Sequence, residues 1–181
     1  MTTTVNALML HRRSGTAPLV AGPGPTAQLS QTAPVWFQER LLLRGFALPG
    51  VAVRPSLRCV PGSRAWHMSP MVAHGPADAF LCGTEFGHLH PSYDGSLHLI
   101  LPPECARAAV AADWGVRCID GTVLLFGPRD AAEVEVLASL VRVAHAAAVG
   151  AAVRPVPARV GPWDGGGIGS RQGRSRHTER R

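Results

Sequence analysis

The apolar and polar positions along the chain predict three helices and a block of strands. Helical spacing is found at about 34–45, 104–115 and 131–148, and strand-like runs at 51–56, 64–68, 79–90, 96–101 and 121–127. Because most strands come in one block and do not alternate strictly with helices, we expect an α+β fold. The expected architecture is a two-layer sandwich, in which helices pack on one face of an antiparallel sheet.

The final helix has the clearest signal. Asp130 and, three residues later, Glu133 match a capping box, and apolar residues then recur at helical spacing. The first helix is expected to begin at Pro34, where a helix tolerates proline, and to end at Gly45.

Three histidines surround the turn-rich segment 91–95 and suggest a β-hairpin. In that hairpin His90 faces Ser96, and His88 faces His98. Since side chains alternate along a strand, these four residues share one face, and the other face is formed by Leu89, Leu97 and Leu99. The leucine face would cover the core, while the histidine face would line a cleft or meet solvent.

Three imidazoles on one face suit two chemistries. His88, His90 and His98 could hold a divalent metal with one position open, or one of them could act as a general base near neutral pH. Plain solvent-facing histidines near a turn are the alternative. Asp94 is first a turn residue and second an acid or ligand, and Tyr93, at the loop tip, could close over a ligand.

Several other residues are weaker candidates. Glu85 falls on the leucine side of the strand, unless a bulge at Gly83 or Gly87 moves it, and we favour the bulge. Ser96 and Tyr93 are candidate substrate-binding residues, together with Trp114 and Arg129. Trp114 would otherwise fill the core at a helix end, and Arg129 would otherwise pair with a carboxylate.

The net charge of +6 comes from the C-terminal segment and does not indicate a nucleic-acid-binding core. Residues 31–150 hold nine arginines and ten acidic residues, whereas residues 151–181 hold seven arginines and two acidic residues. The cysteines form no C-x-x-C pair, which argues against a zinc ribbon. They are Cys59, Cys82, Cys105 and Cys118.

Composition divides the chain into a flexible leader (1–30), one α+β domain (31–150) and a disordered tail (151–181) rich in Arg, Gly and Pro. Neither glycine-rich stretch, 22–26 or 165–169, lies between a strand and a helix, so we find no flavin or nucleotide motif. Since the sequence shows neither a secretory signal nor an apolar span, we expect a cytoplasmic protein that does not bind a membrane. We separately expect its partner to be a small molecule.

The hairpin and the segments after it carry a family resemblance. The run EFGHLHPSYDGSLHLILPPECARAAVAADWG, followed by VLLFGPRDAAEVEVLASLVRVAHA, resembles the luciferase-domain family, which includes the fungal luciferase that oxidises hydroxyhispidin. The resemblance covers about residues 35–149. It implies that the family's characteristic positions are His88, His90, Asp94, Ser96 and His98.

The resemblance implies a flavin-independent oxygenase, or a related monooxygenase-like enzyme, that acts on a small enolic or aromatic metabolite. A non-catalytic module that binds a small molecule or a partner in the same cleft is the alternative. The family often has a histidine shortly after its Trp-Gly pair, where this chain has Cys118, so activity would be altered if that histidine is catalytic. The element order is also similar to small α+β domains of the MmcQ/YjbR type, which concerns the fold alone.

Overall fold

The computed structural model of the chain describes residues 4–6, 10–22 and 27–154. In chain order, its helices and strands are β1 (Thr4–Asn6), α1 (Val35–Phe46), β2 (Val51–Pro55), β3 (Arg64–Met68), β4 (Glu85–Leu89), β5 (Leu97–Leu99), α2 (Pro103–Ala111), β6 (Gly115–Arg117), β7 (Val123–Leu125), α3 (Ala131–Ala148) and β8 (Ala152–Arg154). A short 3₁₀ turn, Ala77–Ala79, precedes β4.

The fold is α+β, as the sequence predicts. Six strands form an open antiparallel sheet in the order β2-β3-β4-β5-β7-β6, and three α-helices accompany it. The sequence did not predict β6, because three residues directly after a helix give too short a pattern to recognise. It also did not predict that β1 and β8 pair in parallel as a separate two-stranded sheet.

The core lies between the sheet and the helices. Helix α3 contacts both α1 and β4, and its predicted apolar positions Val134, Leu137 and Val141 are fully buried. At the start of α3 the side chain of Asp130 accepts a hydrogen bond from the backbone N–H of Glu133. One half of the predicted capping box is therefore present.

The first helix was expected to end at Gly45, but this residue lies in its last turn. A Cβ atom at this position would come within 2.2 Å of the Trp66 indole. The glycine therefore allows the fully buried ring of Trp66 to pack closely against α1, and the helix continues to Phe46.

The described part of the expected leader is packed against the domain. Arg13 is buried and donates to the carboxylate of Glu133 at 3.1 Å. Gln28 is buried too, and its side-chain oxygen accepts from the backbone N–H of Gly127 at 2.9 Å. Arg13 and Gln28 are therefore held against the domain and are not part of a flexible segment. Of the expected tail, residues 155–181 lie outside the described residues.

No helix in the described part of the chain is long and apolar enough to cross a membrane.

Candidate functional site

The predicted register of the histidine hairpin is confirmed. His88 pairs with His98 across β4 and β5, and Leu89 pairs with Leu97. Just beyond the ladder, the backbone N–H of His90 donates to the carbonyl of Ser96 at 2.9 Å. The leucines of the hairpin are fully buried in the core, so the histidines occupy the opposite face of the sheet.

The three imidazoles form one compact and buried cluster. The ring centroids of His90 and His98 are 5.0 Å apart, those of His88 and His98 5.3 Å, and those of His88 and His90 5.5 Å. Their exposed fractions are only 3%, 2% and 9% for His88, His90 and His98. Plain solvent-facing histidines are therefore excluded as the explanation of the pattern.

A β-bulge brings Glu85 to the histidine face. Trp66 pairs with Gly87, but its neighbour His67 pairs with Glu85, so Phe86 is an extra residue in the ladder. The favoured bulge is confirmed, next to Gly87. The fully buried carboxylate of Glu85 then accepts from Nδ1 of His88 at 2.7 Å.

Asp94 plays the corresponding part for His90. Its buried carboxylate accepts from Nδ1 of His90 at 2.8 Å and from the backbone N–H of Ser96 at 2.9 Å. The backbone N–H of Gln28 donates to the same carboxylate at 3.2 Å. Ser96 is fully buried, and its hydroxyl contacts both Asp94 and His90. Ser96 thus contacts both members of the pair and, being fully buried, does not reach the surface of the cavity.

Cys59 joins the cluster from a loop that precedes β3. The hydroxyl of Ser56 accepts hydrogen bonds from the backbone N–H groups of Arg58 and Cys59, at 3.2 and 3.0 Å, which fixes the loop. The sulfur of Cys59 and one ring nitrogen each of His88 and His90 lie within 4.8 Å of one another. Sequence reasoning missed Cys59, because a single cysteine 29 residues before His88 has no local signal.

The contact with Thr122 favours one tautomer of His98 and leaves the other ring nitrogen unused. The hydroxyl of Thr122 donates to Asp120 at 2.7 Å, so its oxygen is available to accept from Nδ1 of His98 at 3.4 Å. With the proton on Nδ1, Nε2 of His98 is an acceptor. This buried atom has no hydrogen-bond partner among the described residues.

The cluster holds charged and neutral side chains next to each other. Burial alone would raise the pKa of the Cys59 thiol, but hydrogen bonds from His88 and His90 lower it to about 5. Burial would lower the pKa of His90, yet its hydrogen bonds to Asp94 and Cys59 raise it to about 9. For His98, burial and the positive charges of its two neighbours lower the pKa to about 3, so this imidazole is neutral.

A cavity of about 330 Å³ opens onto the cluster. Its lining residues are Ala27, Arg58, Cys59, Val60, Leu81, His88, His90, Pro91, Tyr93, Asp94, His98 and Asp120. Tyr93 is 72% exposed, as expected for a residue at the loop tip, and lies at the border of this cavity. A space of this size suits one small molecule.

Trp114 and Arg129 are placed away from this cavity. Trp114 is part of the hydrophobic core and donates through its indole N–H to the carbonyl of His11 at 2.7 Å. Arg129 pairs with Glu133. Trp114 thus fills the core and Arg129 pairs with a carboxylate, the two alternatives that the sequence had left open. Neither residue lines the cavity.

Cys118, which stands where the resembling family often has a histidine, is buried beside β7 and does not line the cavity. Its backbone N–H donates to the carbonyl of Thr122 at 2.9 Å, and burial raises the pKa of its thiol. Cys118 is therefore connected to the cavity through Thr122, whose hydroxyl contacts His98.

Comparison with known families agrees with the resemblance seen in the sequence. Residues 83–144 match the luciferase-domain family. The match contains the whole histidine hairpin and extends into α3, whereas Cys59 lies before it. No curated protein and no solved structure matches the chain, so the similarity to MmcQ/YjbR-type domains is not confirmed.

Proposed function

We propose that the protein is an enzyme that binds a small enolic or aromatic molecule in the histidine-lined cavity and removes its hydroxyl proton. The ionised molecule would then react with dioxygen, as in a flavin-independent oxygenase of the luciferase-domain type. The observation that carries the proposal is the buried Nε2 of His98, an acceptor without a partner among the described residues, in a side chain that lines the cavity.

A buried acceptor without a donor is costly, which favours a ligand that supplies one. The hydroxyl of an enol or phenol is such a donor, and it would point at Nε2 of His98. Because the pKa of His98 is lowered to about 3, this nitrogen orients the hydroxyl through its hydrogen bond, and the proton leaves to solvent through the open side of the cavity as the hydroxyl ionises. Positive charge held at His88 and His90, whose rings are 5.3 and 5.0 Å from that of His98, stabilises the new anion.

The surrounding side chains support a small and flat ligand. Val60 and Leu81 provide apolar contacts, and Tyr93 lies where it could cover a bound ring. Arg58 and Asp120 form an ion pair of 3.0 Å that borders the cavity. A cavity that combines apolar surface with a set of polar groups is typical of small-molecule sites. An ionised, electron-rich ring carbon can then add dioxygen to give a hydroperoxide without a flavin.

The test is oxygen uptake by the full chain with a panel of hydroxypyrones and other enolic or phenolic compounds, with product analysis by mass spectrometry. We expect uptake with at least one compound, and a loss of about 10²-fold or more in His98→Ala, because the hydroxyl is then no longer held in position. The control His74→Ala removes an exposed histidine outside the cavity and should leave turnover unchanged.

Binding is measured in parallel by calorimetry. If a compound binds and is not consumed, and His98→Ala weakens that binding, the protein is a binding module and the enzyme proposal is wrong.

A further inference from the structure

Three side chains with metal-binding atoms converge at one point of the cavity wall. They are the thiol of Cys59, from the loop before β3, and the imidazoles of His88 and His90 at the end of β4. One ligand atom from each lies within 4.8 Å of the other two. We propose that these three residues hold a divalent zinc-type metal ion, with one coordination position open to the cavity.

The hydrogen bonds behind both histidines are those of metal ligands. Nδ1 of His88 donates to Glu85 at 2.7 Å, and Nδ1 of His90 donates to Asp94 at 2.8 Å. Metal-bound histidines commonly donate their second ring N–H to a carboxylate, which fixes the ring and leaves the other nitrogen for the metal. In both residues Nε2 is the nitrogen left over.

The two carboxylates are themselves well supported. Glu85 also accepts from the hydroxyl of Ser56 and the backbone N–H of Leu57, both at 2.8 Å. Since Ser56 also fixes the loop that carries Cys59, one hydroxyl links the outer carboxylate to the third ligand. The carboxylate behind each histidine is thus held in place by its own hydrogen bonds, which fixes the orientation of both rings.

The donor set selects the kind of metal. Binding of the ion would release the extra protons of His88 and His90 and replace their positive charge. One thiolate and two neutral imidazoles then form a borderline-soft set, which suits zinc and related divalent transition metals and does not suit magnesium or calcium. Three protein ligands with the fourth tetrahedral position free is the arrangement of catalytic zinc sites. The cavity is lined by all three ligands, so a fourth position on the ion could open into it.

A second and independent observation points to a group at the open position. His98 is 9% exposed and lines the same cavity. Its Nε2 atom makes no hydrogen bond to any of the described residues. A water or a substrate oxygen on the metal would donate to this atom. His98 is therefore a neighbour of the bound group and not a ligand, which differs from the three-histidine site that the sequence allowed as one of two alternatives.

The ion would deepen the proposed function by polarising the hydroxyl oxygen of the enol as its proton leaves. That role rests on the proposed function. Metal binding itself rests only on Cys59, His88 and His90, and it is measured without any substrate.

The experiment uses the full chain, purified and dialysed against a weak chelator, with metal content measured by mass spectrometry and zinc binding by calorimetry. We expect one tightly bound ion per chain, lost in Cys59→Ser and in His88→Ala. Cys82→Ser, which alters an exposed cysteine outside the cluster, is the matched control and should keep the ion. His98→Ala should keep it too.

Cobalt substitution tests the ligands without any mutation. A protein loaded with Co²⁺ should show a thiolate-to-cobalt charge-transfer band and the strong visible bands of a tetrahedral site. This spectrum keeps the proposal testable even if Cys59→Ser or His88→Ala fails to fold, which circular dichroism of each variant would reveal.

Three results would overturn the proposal: no tight binding of zinc or cobalt, a cobalt spectrum without the thiolate band, or metal retained in folded Cys59→Ser. Rapid alkylation of Cys59 that zinc does not prevent would count against it in the same way. Metal binding without oxygen uptake would instead keep this inference and remove the proposed oxygenase function.

Discussion

Replacing Asp94 with asparagine should weaken both the fold and the proposed metal site. The change removes one negative charge and keeps nearly the same shape. The carboxylate accepts from Nδ1 of His90 and the N–H of Gln28 on one oxygen, and from the N–H and hydroxyl of Ser96 on the other. An amide has only one oxygen, so one of these two pairs of donors must face a new N–H group.

The magnitude follows from the bonds that are lost. If the amide oxygen stays with Ser96, a hydrogen bond from His90 to a carboxylate is lost, worth about 1.5–3 kcal/mol, and one from Gln28, worth about 1 kcal/mol. We therefore expect Asp94→Asn to lower the free energy of unfolding by about 2.5–4 kcal/mol. For a chain of this length, a loss near 3 kcal/mol corresponds to a Tm lower by about 6–12 °C.

His90 can recover part of this loss by giving up the proton on Nδ1, which leaves the remaining ring proton on Nε2. With Nδ1 of His90 accepting from the new amide, the ring proton stays on Nε2, and this nitrogen can no longer bind a metal. The affinity for zinc should then fall by about 10–100-fold, as is usual when the carboxylate behind a metal-bound histidine is altered.

Two measurements check this prediction. Urea unfolding of the metal-free proteins, followed by circular dichroism, gives the stability change, and a zinc titration of the folded variant gives the affinity. The control Asp78→Asn removes the same charge at an exposed site and should stay within about 0.5 kcal/mol of the wild type. An Asp94→Asn protein with wild-type stability, or with full zinc affinity, would refute the reasoning for the fold or for the site respectively.

Three further predictions concern the scaffold. Gly115→Ala should destabilise the sheet by about 1–3 kcal/mol in urea unfolding, because its Cβ would lie 2.2 Å from the Leu124 carbonyl oxygen. Burial would raise the pKa of Glu133, but hydrogen bonding to Arg129 lowers it. The ionised carboxylate therefore stabilises the fold fully above its ordinary pKa near 4.5, and this contribution disappears as pH falls through the lowered pKa. Glu133→Gln should then flatten the acid side of the curve of stability against pH. Trp114→Phe should cost about 1 kcal/mol for one lost hydrogen bond and leave zinc affinity unchanged; a weaker zinc affinity would instead place Trp114 at the site.

Local patterns were sufficient to predict the final helix and the register of the histidine hairpin. The helical period over 131–148 and the N-cap Asp130 both act within a few residues, and the helix has these bounds in the structure. In the hairpin, the five-residue turn fixes which residues face each other, and the alternation of strands then puts His88 and His98 on one face.

The rest of the site was decided by packing between distant parts of the chain. Phe86 fills the core by taking an extra place in β4, and only this bulge turns Glu85 toward His88. Gln28, in a segment without any periodic pattern, donates to Asp94 across 66 residues. Cys59 reaches the histidines from a loop whose sequence gives no sign of where it will lie.

The sequence by itself therefore determined the fold class, the last helix and the shared face of the histidines, because these depend on contacts between near neighbours. Only the tertiary structure decided that Cys59 completes the cluster and that His98 keeps an unused nitrogen. The physical reason is that side-chain periodicity records which face of an element is buried. It does not record which distant loop covers that face, and this depends on how the whole chain packs.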